Sequence, residues 1–105
     1  MLSTQSHQEI ISGRAALERV AGLSPELVAA AVQNDPDRAC AIYFLCAVIE
    51  RHIPPERQKQ IFRRPLRGGP FRGRPLSDIV QHADKSDLDR CISRVLHVLS
   101  NDAPL

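Results

Sequence analysis

Seven of the 14 lysines and arginines crowd into one stretch: Arg57, Lys59, Arg63, Arg64, Arg67, Arg72 and Arg74. No acidic residue lies between Glu56 and Asp78, whereas Asp84, Asp87 and Asp89 follow just downstream. Guanidinium groups hold phosphates and carboxylates through forked N–H donors, so the chemistry on offer is electrostatic binding. Three glycines and three prolines between Arg63 and Pro75 make this stretch a loop rather than a long regular element. Three readings stand side by side. The arginines with Phe71 interleaved could hold nucleic acid, phosphate by charge and a base by stacking. Arginine around an aromatic is equally the composition of a protein-binding surface. The arginines could instead pair with Asp78, Asp84 and Asp87 on a solvated loop.

The residues that could do covalent chemistry have simpler uses. Cys40, Cys46 and Cys91 sit in apolar helical patterns and lack C-x-x-C spacing, so they are expected to be reduced core thiols of a cytoplasmic protein, without a metal. Ser6, Ser24 and Ser86 stand where helix caps are needed. His7, His52, His82 and His97 are scattered, with no i, i+4 pair and no H-E-x-x-H. Gly68 to Gly73 is not a phosphate loop, since no Gly-Lys-Ser/Thr follows. The reading is a non-enzyme with no cofactor.

The elements that position these residues are helical. At 105 residues the chain is expected to form one small all-α domain of five to six helices around a buried central one. That central helix spans 36–52. Asp35 caps it, Pro36 suits its first turn, and Pro54-Pro55 ends it. Between Cys40 and Ile49 the only polar side-chain group is the Tyr43 hydroxyl. Ten apolar residues are too few for a bilayer, which needs about 20, so the helix should be buried on several sides. A second copy of the chain, as a two-fold dimer, is the simplest way to complete that burial. No signal peptide is expected, because 1–9 is polar.

Upstream, Ser6 to Glu9 has the form of a capping box before an apolar pattern of Ile10, Ile11, Ala15, Leu17, Val20 and Ala21. Gly13 weakens this helix and Gly22 stops it. Ser24-Pro25-Glu26 opens the next, with Leu27, Val28, Ala31 and Val32 facing inward. Together 1–34 make a helical hairpin with the outline of a degenerate helix-turn-helix. Its second helix, however, lacks any Arg or Lys to reach a phosphate or guanine. Downstream, Ile61 and Phe62 turn inward from a short helix, and Leu66 and Phe71 pin the arginine loop. Leu76, Ile79 and Val80 anchor another short helix. The last helix, capped around Ser86, buries Leu88, Cys91, Ile92, Val95, Leu96 and Leu99. Its solvent face carries Arg90, Ser93, Arg94, His97 and Asn101.

From Ala41 through Ser100 the order of residues resembles the toxin-binding domain of the Xre/MbcA/ParS-type antitoxins. The matching pieces are Ile42 to Ile49, Gln60-Ile-Phe-Arg-Arg-Pro65, Gly73-Arg-Pro-Leu76 with Ile79-Val80, and Leu88 to Leu99. The resemblance implies a helical toxin-binding region over 35–105 in a cytoplasmic bacterial protein. Such a protein neutralises its toxin, often a RES-domain enzyme that consumes NAD, by blocking the active site. An immunity protein would look the same. Arg63, Arg64, Phe71, Arg72 and Arg74 would dock on the partner through a mobile loop bearing an exposed aromatic. The tail, with Asp102 and the carboxylate of Leu105, would reach a phosphate-binding pocket. The alternative is a small nucleic-acid-binding regulator that uses the 57–74 basic loop. DNA binding by the free chain is expected to be weak, or to need the toxin complex.

Overall fold

Helix starts in this chain are set by short side chains that satisfy orphan N–H groups. Asp35 Oδ1 accepts hydrogen bonds from Asp37 N and Arg38 N at 3.0 and 3.3 Å, Ser24 Oγ accepts from Leu27 N, and Asp84 Oδ1 accepts from Asp87 N at 2.8 Å. The computed structural model describes residues 2–101, with side chains from Gln8 onward. Within them lie six helices: α1 (Leu2–Ala16, continued by a π turn over Leu17–Ala21), α2 (Pro25–Val32), α3 (Pro36–His52), α4 (Pro55–Arg63), α5 (Leu76–His82) and α6 (Lys85–Ser100). No strand occurs among the described residues, so the chain is all-α. None of these helices is long and apolar enough to cross a membrane.

The helix over 36–52 is the central one. α1 lies along it, while α6 and the π turn pack on its other inward sides. Ile42, Leu45, Cys46 and Ile49 are fully buried with Leu17, Val20, Phe62, Leu76, Ile79 and Leu88. Its burial is not complete, however. Cys40, Tyr43, Phe44 and Ala47 are exposed, Tyr43 and Phe44 nearly half so, which corrects both the all-round burial and the core placement of Cys40. The neighbours are too few to wrap the helix, and its outward face has no cover.

Two further corrections concern helix starts. α1 begins at Leu2, so Ser6 lies inside it and does not cap it; α6 begins one turn before Leu88 with Asp84 as its cap, not Ser86. The register of α1 also differs from the even spacing read in its apolar residues. The π turn adds a residue, closed by a hydrogen bond from Gly22 N to Leu17 O at 3.1 Å, and Gly22 ends it with φ +68°. Ala16, Leu17, Val20 and Ala21 therefore face the core, while Ile11 and Ala15 are exposed. Leu27 likewise points out from α2, which is buried through Val28, Ala31 and Val32. Gly13 is a packing residue: a Cβ there would stand 2.7 Å from Ala39 O, so its absence lets α1 and α3 approach closely.

A buried arginine ties the two halves of the chain together. Arg38 on α3 is 3% exposed, and its guanidinium donates to Ala31 O at the end of α2 and to Val80 O and Ala83 O at the end of α5. These carbonyls lie in or just beyond last helical turns, where backbone donors run out and the helix dipole is negative. Burial lowers the Arg38 pKa, with Asp35 and Asp84 opposing that shift.

Candidate binding groove at the arginine loop

Between α4 and α5 the chain folds back on itself. Gly73 N donates to Leu66 O at 2.7 Å and Leu66 N to Arg74 O at 3.2 Å, which closes a compact loop across its own neck. Leu66 and Phe71 are buried at 2% and 3% exposure and anchor the loop in the core. The pinning role read from the sequence is correct. The exposed aromatic is not, because Phe71 offers no face to a ligand.

Arg74 is also spent within the fold. Its guanidinium makes a two-pronged contact with Asp87 at 2.9 and 3.3 Å, and donates to Phe71 O and Pro70 O at 3.0 and 2.8 Å. One arginine thus fastens the loop to itself and to the first turn of α6, so the loop is braced rather than loose. Hydrogen bonding from Arg74 pulls the Asp87 carboxyl below its ordinary pKa, with smaller help from the charges of Arg72 and Arg90. A depressed carboxylate contributes stability above its unfolded pKa, about 3.9, and that contribution is lost as pH falls through the folded value. Asp87→Asn should therefore cost about 1 kcal/mol at neutral pH, a gap that closes on acidification. Urea unfolding from pH 7 down to pH 3 checks this; a constant gap would assign the loss to another cause.

The braced loop leaves Arg67 and Arg72 in solvent, Arg72 held at φ +56°, a left-handed conformation that costs a non-glycine residue roughly 1–2 kcal/mol. Arg72 lines a groove of about 620 Å³ with Gly69 and Pro70 from the loop and Asp89, Arg90, Ser93 and Arg94 from α6. Arg90 and Arg94, one turn apart on α6, line it together with Arg72, and Asp89 is engaged by Lys85 at 3.0 Å. Three guanidinium groups and a hydroxyl around one concavity suit a carboxylate-rich or phosphorylated surface. Arg90, Ser93 and Arg94 were legible from the sequence only as a solvent face; the i, i+4 arginine pair is the signal that marks them. Arg63 and Arg64, at the end of α4, do not line the groove, and Asp102 and Leu105 lie outside the described residues.

Metal and thiolate chemistry find little footing beside this groove among the described residues. Among the described residues no group of three His, Cys, Asp or Glu side chains could hold a metal. Burial pushes the Cys46 thiol up to about 12, and burial followed by the nearby Asp87 charge raises Cys91, so neither is a ready thiolate. No protein-family model, curated protein or solved structure matches the chain.

Proposed function

We propose that the chain is a non-catalytic binding module of antitoxin or immunity type, which neutralises a toxin by direct contact and docks through the arginine groove. The observation that supports this reading is the convergence of Arg72, Arg90 and Arg94 from two elements, with the loop braced by Arg74. Pre-organised charge on a rigid frame favours association with an acidic rim and lowers the ordering cost of binding. The burial of Phe71 removes the base-stacking half of the nucleic-acid reading and leaves it only phosphate contacts. The partner proposed from the sequence resemblance is a RES-domain enzyme that consumes NAD. Its phosphate pocket would be electropositive and would repel the groove arginines, so blocking is assigned to the tail, 102–105. The tail leaves α6 at Asn101, 11 residues beyond Arg90, or about 16 Å along the helix. Docking and blocking are thereby separated.

Purification from the native host with identification of what co-purifies supplies the partner, and two variants and a DNA-binding measurement test the roles. Reversing Arg72, Arg90 and Arg94 to glutamate should slow association about tenfold or more, an effect that shrinks with salt. Deleting 102–105 should leave the complex intact and restore toxin activity. Full neutralisation by the truncated chain would move inhibition to the body of the domain. Duplex DNA should bind the free chain weakly or not at all, and sequence-specific binding at physiological salt would overturn the proposal in favour of a regulator.

A further inference from the structure

The outward face of α3 is arranged symmetrically about Phe44. Along it run Asp37, Cys40, Phe44, Ala47 and Arg51, all exposed, with Ala41 and Val48 half-buried against the core at its edge. They form an i, i+3/i+4, i+7 seam on the side opposite Ile42, Leu45 and Ile49. Phe44, 48% exposed, stands at its midpoint. Asp37 and Arg51 lie seven residues before and after Phe44, Cys40 and Val48 four, and Ala41 and Ala47 three. The residues flanking Phe44 are small and would let a second helix come close.

We infer that this face is the interface of a homodimer in which two copies of α3 cross antiparallel, with Phe44 on the two-fold axis. In that register Asp37 of each copy meets Arg51 of the other, and the apolar middle is closed at both ends by opposite charges. A parallel pairing would set Asp37 beside Asp37 and Arg51 beside Arg51, which is repulsive. A recess of about 310 Å³, walled by Gln8, Glu9, Ser12, Cys40 and Tyr43, runs beside the seam.

Cys40 is the exposed member of three free cysteines, which makes the register testable. Sedimentation of the full chain at high micromolar concentration should give a dimer. Phe44→Lys should weaken it at least roughly 30-fold, as loss of a central anchor does. Circular dichroism should show that variant still folded, since Phe44 is not in the core. Asp37→Arg should also weaken the dimer, and adding Arg51→Asp should restore it. Val48→Cys should cross-link on oxidation through Cys40 of the other copy. The unaltered chain should not, because the two Cys40 residues would sit about 12 Å apart along the helices, beyond the roughly 7 Å a disulfide tolerates. A monomer at high micromolar concentration, a dimer indifferent to Phe44→Lys, or a Cys40–Cys40 cross-link in the unaltered chain would each overturn the inference.

Discussion

Arg38→Met should lower the unfolding free energy by about 3–5 kcal/mol, more than any surface change in this protein. Each buried carbonyl stripped of its donor costs roughly 1–3 kcal/mol, and Arg38 serves three of them. Methionine keeps the apolar stem of the side chain and is flexible enough to fill part of the vacated space, so most of the loss would report the missing donors. Arg38→Lys should recover only part of the loss. A single ammonium cannot reproduce a planar fork reaching α2 and α5 at once. For a chain of this size the melting temperature should fall by more than about 10 °C. A loss below about 1 kcal/mol in urea would mean that solvent replaces the guanidinium easily and that the two helix ends are not held by it.

The second large effect belongs to the inward face of α3. Leu45→Ala and Ile49→Ala each remove side-chain atoms from sites that are 1% and 0% exposed, so each should cost on the order of 2–5 kcal/mol. Tyr43→Ser, on the outward side of the same helix, should change stability by less than about 0.5 kcal/mol when measured below the concentration of dimer formation. The contrast is sharper than either value alone. Equal losses at positions 43 and 45 would mean that α3 is covered all round. A loss below about 0.5 kcal/mol at both Leu45 and Ile49 would remove this helix from the core.

The legible parts of this fold are those governed by local chemistry. Asp35-Pro36 and Pro54-Pro55 bracket α3 in the sequence as they do in the structure, because capping and proline sterics act within a turn. Leu66 and Phe71 could be read as anchors, since two large apolar residues among arginines have few other uses. The errors came from choices settled at long range. Whether Phe71 faces solvent depends on a contact between the loop and α6, and whether Phe44 is covered depends on how many helices reach α3. Which arginine braces the loop and which ones line the groove depends on Asp87 sitting 13 residues from Arg74 in sequence yet 2.9 Å away in space. Arg38 escaped notice altogether: a lone arginine near a helix start looks like a surface residue until the ends of α2 and α5 converge on it.

The extra residue in the π turn at Leu17–Ala21 has a consequence for how this chain can change over time. Such a turn holds one residue more than the α-helix it interrupts. Removing one residue there would let the segment relax to ordinary helix, and everything before it would swing by about 100° around the axis. Gly13 would then leave its place against Ala39, and a side chain would arrive where a Cβ has no room. Residues on the outside of α1 can therefore be exchanged freely, but deleting the extra residue would reseat the whole helix. The π turn thus fixes the length of the N-terminal helix.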